Sequence, residues 1–272
     1  MSVLPIKLLV SDVDGTLVRG DKTLSQVTID AFGRLRTAGI TATLISARPP
    51  SGMLRLAKAL DIPGPLGAFN GGTLIDASGA VLSAQRLEPD VATTSLALLE
   101  AAGVDIWLFA HGLWYSRDTR NIHTDHERLA ADTEPTLVAD FSGLDRVDKI
   151  VAISEDHAGL ARLEAKVIAA VGERATVARS QPYYLDITAP AANKGDGIAA
   201  VAKAAGVSLA ETAAIGDMAN DLPMFARAGL AIAMGQAPEH VRAAARFVTA
   251  SNDDDGVSRA IDRYILRTEA PA

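Results

Sequence analysis

The chain has 272 residues, 49% of them hydrophobic and 22% charged, with a formal net charge of −7. That is enough apolar material for one large domain or two smaller ones, and it excludes a disordered chain. The acidic balance offers no basic surface for nucleic acid or anionic lipid. The absence of cysteine removes disulfides, thiolate metal sites and cysteine nucleophiles together. No apolar stretch approaches the ~18 residues of a membrane span. Lys7 and Asp12 interrupt the first residues too early for a signal peptide. The expectation is a soluble, cytoplasmic protein that binds neither nucleic acid nor membrane.

Strands and helices alternate along the first part of the chain. Ile6 to Val10 is an apolar run that stops at Ser11-Asp12, as a buried parallel strand does. A helix follows, with Ser25 as its N-cap, Val27, Ala31, Phe32 and Leu35 on one face, and Gly39 at its end. Ile40 to Ile45 reads as a strand and Ser51 to Leu60 as a helix. From about residue 84 to 186 the pattern changes. A helix at Val91 to Ala102 precedes strands at Ile106 to Ala110, Leu113 to Ser116 and Lys149 to Ser154. Next come a helix at Ala158 to Val171 and strands at Ala175 to Ala178 and Tyr183 to Ile187. Both tryptophans, Trp107 and Trp114, lie in this block.

The first pattern then returns. Asp196 to Ala205 reads as a helix closed by Gly206, Thr212 to Ile215 as a strand and Leu222 to Ala228 as a helix. Leu230 to Met234 and Phe247 to Thr249 are further strands, and Val257, Ala260, Ile261, Tyr264 and Ile265 share a helical face. The predicted fold class is α/β: a Rossmann-like three-layer parallel sheet core from residues 1–83 and 187–272, with a smaller α/β cap domain inserted at 84–186.

Chemistry gathers just after the strands of the outer segments. Asp12-Val13-Asp14-Gly15-Thr16 follows the first strand, where ligands of open α/β sheets collect. Two carboxylates two residues apart can reach one small volume on extended backbone, and glycine then permits a tight turn. One carboxylate can attack phosphorus, and its neighbour can protonate the leaving oxygen and later activate water. In isolation such a motif is commonly a turn or a helix cap. An EF-hand loop is ruled out, because Thr16 and Leu17 stand at positions that require other residue types.

Asp217, Asn220 and Asp221 follow another predicted strand and, with Asp12 and Asp14, form an oxygen-ligand set suited to a hard cation. Ser46 ends the second strand with a hydroxyl, and Lys194 precedes a helix with a point charge. Two other acidic features have simpler readings. His123, Asp125, His126 and Glu127 have metal-ligand spacing but read as a solvated polar face. Asp253-Asp254-Asp255 reads as an acidic cap on the last helix.

Taken in order, these four sites resemble the four motifs of the haloacid dehalogenase superfamily, and more narrowly its Cof-type sugar-phosphatase group with a C2-type cap. The resemblance covers essentially the whole chain. It implies that Asp12 is the nucleophile and a ligand of Mg²⁺, and that Asp14 is the acid/base with its carbonyl facing the metal. It implies that Ser46, Ala47, Lys194 and Asn220 bind phosphate, that Asp217 is a further metal ligand and that Asp221 supports the ligands from behind. Asn70 and Gly71, followed by Gly72, match a substrate loop, and Asn193 beside Lys194 also fits. Ala233-Met234-Gly235 and Asn252 to Val257 match the C-terminal pattern. Two positions depart from it: Ala47 stands where glycine is usual, and Gln236 where asparagine is frequent.

The implied function is a Mg²⁺-dependent phosphomonoester hydrolase acting through an aspartyl phosphate on a small phosphorylated metabolite, such as a sugar phosphate. A phosphomutase of the phosphomannomutase type on the same fold is the alternative. A non-enzymatic phospho-acceptor module is a third reading, disfavoured by Asp14 and by the inserted cap.

Overall fold

A computed structural model describes residues 5–268, so residues 1–4 and 269–272 of the segments drawn above lie outside the described residues. In chain order the first elements are β1 (Leu8–Ser11), α1 (Gln26–Thr37), β2 (Thr41–Leu44), α2 (Ser51–Ala59), β3 (Leu66–Ala68), β4 (Thr73–Ile75) and β5 (Val81–Ala84). Then come α3 (Pro89–Ala102), β6 (Asp105–Ala110), β7 (Leu113–Ser116), α4 (Thr124–Ala131), β8 (Thr136–Leu137), β9 (Val147–Ile153), α5 (His157–Val171), β10 (Thr176–Gln181) and β11 (Tyr184–Thr188). The chain continues through α6 (Lys194–Ala204), β12 (Thr212–Gly216), α7 (Leu222–Phe225), β13 (Leu230–Ala233), α8 (Glu239–Ala244) and β14 (Phe247–Val248). It closes with α9 (Gly256–Ala260), which runs into a π turn at Ile261–Ile265.

Two compact units result. One takes the residues up to Arg48, Met53–Leu82 and those from Asn193 on; the other takes Pro49–Gly52 and Ser83–Ala192. The second unit extends beyond residue 186 because β11 pairs with β9 as far as Thr188 opposite Lys149. Pro49–Gly52 groups with it because the Ser51 hydroxyl donates to the Ala131 carbonyl at the end of α4.

The first unit is built on a five-stranded sheet in the order β14-β13-β12-β1-β2, parallel throughout. All four residues of β1 are buried, as a strand covered on both faces must be. On one face Leu8, Val10 and Ala214 pack with Ile198 and Val201 of α6, Phe225 of α7 and Val241 of α8. Helix α1 packs against β2 and α9.

Ser25 caps α1 by accepting from the Thr28 N–H at 3.1 Å, a contribution of about 1 kcal/mol. The buried residues of α1 are Thr28, Ala31, Phe32 and Leu35, whereas Val27 is half exposed. Placing Val27 on the buried face was therefore wrong. Positions 28, 31, 32 and 35 form one stripe at helical spacing, and residue 27 lies roughly 90° from its centre.

Helix α6 begins at Lys194, not at Asp196 as the sequence reading had it. Asn193 is its N-cap and accepts from the Asp196 N–H. The small sheet β3-β4-β5, with β3 and β4 antiparallel, went unread, because strands of three or four residues carry too little periodicity to register.

The second unit holds a six-stranded sheet in the order β10-β11-β9-β6-β7-β8. One face carries Leu108, Ile150 and Leu185, which pack with Leu99 of α3 and with Leu160 and Val167 of α5. Trp107 meets Trp114 edge-on at 5.1 Å and Tyr184 at 5.5 Å. Both tryptophans are buried, so these rings serve packing. His123 stacks on Tyr183 at 3.8 Å, with its Nε2 2.8 Å from Glu155, and Asp125 pairs with Arg128. The polar reading of that stretch stands. No helix among the described residues is long and apolar enough to cross a membrane.

Candidate active site

Parallel registry places the ends of β1, β12 and β2 side by side: Ser11 lies opposite Ile215 on one flank and Leu44 on the other. Each chain then leaves the sheet carrying a polar group, namely Asp12, Asp217 and, after Ile45, Ser46. The turn after Asp12 closes with the N–H groups of Leu17 and Val18 on the Val13 carbonyl. Gly15 has φ +78°, and a Cβ there would lie 2.4 Å from Asp217 Oδ2. Glycine is required on both counts, by backbone conformation and by close approach. The Thr16 hydroxyl donates to Asp217 Oδ1 at 2.9 Å and fixes that carboxylate.

Asp221 is fully buried and engaged at both oxygens. Its Oδ2 accepts the N–H groups of Asp217 (2.8 Å) and Met218 (2.9 Å), which sets the turn leaving β12. Its Oδ1 accepts from Lys194 Nζ at 2.6 Å, and Lys194 also donates to Asp12 Oδ1. Ligand oxygens of Asp12, Asp217 and Asp221 lie within 4.8 Å of one another.

Three buried carboxylates therefore face one buried ammonium, leaving two negative charges uncompensated when all are ionised. Burial, reinforced by the charges of Asp221 and Asp217, pushes the Asp12 carboxyl up to about 8 against the pull of Lys194. Burial and Asp221 push Asp217 up to about 6. Burial works against the Lys194 ammonium, but Asp12 and Asp221 outweigh it and hold it above an ordinary lysine. A hard divalent cation fits this site, since oxygen donors and a deficit of positive charge are what such an ion takes. The residues present suit Mg²⁺.

Asp14 stands apart from that cluster. Arg48 grips both of its oxygens, Nε to Oδ2 at 2.7 Å and a terminal nitrogen to Oδ1 at 2.8 Å, and Lys22 Nζ joins at Oδ1 at 2.7 Å. Burial alone would push its carboxyl up; Arg48 and then Lys22 reverse this and hold it well below the usual carboxylate range. Ser46 is buried, and its Oγ accepts from the Arg48 N–H at 3.2 Å. Ala47 is absent from the positive-φ positions, so alanine in place of glycine costs no backbone strain there.

The Ser46 carbonyl accepts from the Asn70 N–H at 2.6 Å. Asn70 itself sits at φ +59°, with a buried Oδ1 that has no partner among the described residues. A Cβ on Gly71 would lie 2.3 Å from the Gly197 Cα, so a pair of glycines lets this loop reach α6. Asn220 lies exposed on the single turn Ala219–Asp221. The geometry thus gathers Asp12, Lys194, Asp217 and Asp221, and links Asp14 and Asn70 to Ser46. Asn220 stays at the surface.

Several residues of this neighbourhood were not singled out from sequence. Thr16 closes a quoted motif but carried no role there, Arg48 lies two residues after Ser46, and Lys22 carried no local signal. Gln236 donates to the Gly15 carbonyl at 2.5 Å and accepts from the Asn252 N–H at 3.2 Å. The acidic-cap reading of residues 253–255 is corrected. Asp253 accepts from the Gly20 N–H, Asp254 from the Ser251 hydroxyl, and Asp255 pairs with Arg19. Asp255 is the N-cap residue of α9, in the left-handed region at φ +56°, and no side chain among the described residues makes a capping hydrogen bond there.

The haloacid dehalogenase-like hydrolase family model matches residues 9–261. An HMP-PP phosphatase of Escherichia fergusonii is 30% identical over 251 residues, covering 87% of each chain. A 5-amino-6-(5-phospho-D-ribitylamino)uracil phosphatase of Bacillus subtilis is 26% identical over 262 residues, covering 96% of each. The crystal structure of a haloacid dehalogenase-like hydrolase from Bacteroides thetaiotaomicron superposes with a TM-score of 0.88 at 28% identity, covering 95% of this chain and 99% of that one.

Proposed function

Because this chain belongs to the haloacid dehalogenase-like hydrolases and is a phosphatase among them, we propose that it is a Mg²⁺-dependent phosphomonoester hydrolase that works through an aspartyl phosphate on a small phosphorylated metabolite. The observation that carries this reading is the buried cluster of Asp12, Asp217, Asp221 and Lys194 at the carboxyl ends of β1 and β12. Asp12 is the nucleophile: it is the carboxylate at the end of β1 itself, and Lys194 orients its Oδ1. Lys194 and Ser46 are placed to hold the transferring phosphoryl group, with Ala47 beside them. The Asn70 Oδ1, without a partner among the described residues, gives the Asn70-Gly71 loop an acceptor for substrate.

Mg²⁺ would be held by Asp12, Asp217 and the Asp14 carbonyl, and when bound it supplies the positive charge that lets an anion approach a phosphate. Asp221, whose oxygens are already engaged by two N–H groups and Lys194, orients the ligands instead of joining them. Asn220, exposed as found, is the phosphate contact with the least structural support.

Asp14 is the acid/base. Arg48 and Lys22 favour its ionised form, the form that takes a proton from water in the second step. To serve as the acid in the first step it takes up a proton from solvent, which the negative charge of an entering ester favours. Substrate selection falls to the inserted unit.

Phosphate release from a panel of phosphorylated metabolites, with and without Mg²⁺, tests the reading. Sugar phosphates belong in that panel, as do HMP-PP and 5-amino-6-(5-phospho-D-ribitylamino)uracil, for which the relatives are named. Failure to release phosphate from any of them, or from p-nitrophenyl phosphate, would overturn it. Asp14→Asn should lower hydrolysis of an alkyl phosphate by about 10²-fold, the scale of a lost general acid/base. The loss should be smaller with p-nitrophenyl phosphate, whose leaving group needs no proton. Equal losses, with phosphorylation shown to limit the rate, would make Asp14 structural.

A further inference from the structure

We propose that Lys22 is a positioning residue for the proton-transfer carboxylate, and that the turn carrying it is aimed by the C-terminal segment Asn252–Asp255. The inference rests on the assignment of Asp14 as the acid/base. Three observations converge on it.

First, Lys22 Nζ lies 2.7 Å from Asp14 Oδ1, on the carboxylate that Arg48 already grips in two places. Arg48 fixes the plane of that group. Lys22 occupies the remaining side of Oδ1 and closes off the swing that a carboxylate with 34% of its side chain exposed could otherwise make.

Second, Lys22 itself has φ +66°. It sits in a tight turn where its N–H donates to the Arg19 carbonyl and the Arg19 N–H to the Thr23 carbonyl. A lysine gains nothing locally in that backbone region, where glycine or asparagine fits better.

Third, the turn is tied down from more than 200 residues away. Asp253 accepts from the Gly20 N–H at 2.9 Å, Asn252 donates to the Val18 carbonyl at 3.0 Å, and Asp255 pairs with Arg19 at 3.1 Å. An ordinary half-exposed ion pair, contributing about 0–1 kcal/mol, calls for no such scaffold.

The test compares wild type, Lys22→Met, Lys22→Arg and Asn252→Ala, each Mg²⁺-loaded, on an alkyl phosphate and on p-nitrophenyl phosphate. Inorganic phosphate inhibition is measured alongside as the readout for binding. For Lys22→Met, kcat/KM on the alkyl phosphate should fall about tenfold, the scale of a modest misplacement of a reacting group. On p-nitrophenyl phosphate it should change by no more than about twofold, since proton transfer matters little there. Phosphate inhibition should be unchanged. Lys22→Arg should recover most of the loss, and Asn252→Ala should reproduce the same pattern more weakly. Adding Lys22→Met to Asp14→Asn should cost nothing further.

Equal losses on both substrates, weakened phosphate inhibition that accounts for the loss, or full additivity with Asp14→Asn would each overturn the proposal. Failure of the parent assignment is separately visible: there Asp14→Asn would show no dependence on the leaving group, whatever Lys22→Met does.

Discussion

Asp12→Asn should abolish turnover, by at least about 10³-fold, or about 4 kcal/mol of transition-state stabilisation, while leaving the fold intact. The amide has nearly the shape of the carboxylate but is a very poor nucleophile. The substitution does not strand Lys194, because Asp221 still accepts from its Nζ at 2.6 Å, and it removes a carboxylate that burial disfavours in its charged form. Steady-state phosphate release, with circular dichroism on the same preparation, decides the matter. A folded variant that keeps several per cent of wild-type rate would end the covalent mechanism. Trapping of a phosphorylated wild-type protein that is absent from Asp12→Asn would support it from the opposite direction.

Chelation should be nearly as severe. With EDTA the cluster of Asp12, Asp217 and Asp221 is left without its cation, and activity should disappear until Mg²⁺ is restored. Asp217→Ala should raise the Mg²⁺ requirement sharply.

The pH dependence of that requirement has a definite sign. Burial, together with neighbouring carboxylates, raises Asp12 to about 8 and Asp217 to about 6, so the protonated forms persist into the neutral range when no cation is bound. A metal ion takes the ionised forms and must displace those protons. The Mg²⁺ concentration for half-maximal activity should therefore rise as pH falls from about 8 to about 6, by up to about tenfold per unit for each proton displaced. A requirement independent of pH over that window, or full activity in metal-free buffer, would contradict the placement of the ion.

Much of this protein is determined locally, and that part was legible from sequence. The apolar run ending at Asp12 is a strand because nothing polar interrupts it. Ser25 caps α1 because a hydroxyl just before a helical stripe meets an unsatisfied N–H. The presence of Asp12 and Asp14 after β1, and of the acids after β12, follows from where polar residues sit relative to strand ends. Those signals depend only on neighbours along the chain, and they were enough to indicate the family, the fold class and the acidic cluster.

What only the tertiary structure decided depends on which distant backbones the sheet order brings together. Lys194 is an ordinary lysine in sequence. It becomes the counter-ion of two buried acids because Asn193 starts α6 beside Asp12 and Asp221. Gly15 and Gly71 look like turn residues, yet their decisive constraint is a side chain or a backbone contributed from more than 100 residues away. Residues 253–255 read as a helix cap because local charge near a helix start has that meaning. The structure turns Asp253 and Asp255 towards the loop after β1 instead, since the parallel crossover returns the C-terminal segment to the carboxyl edge of the sheet. Local pattern chose the elements and the reactive residue types. The parallel order of β2, β1 and β12 chose their partners, because side chains at adjacent strand ends meet whatever their separation along the chain.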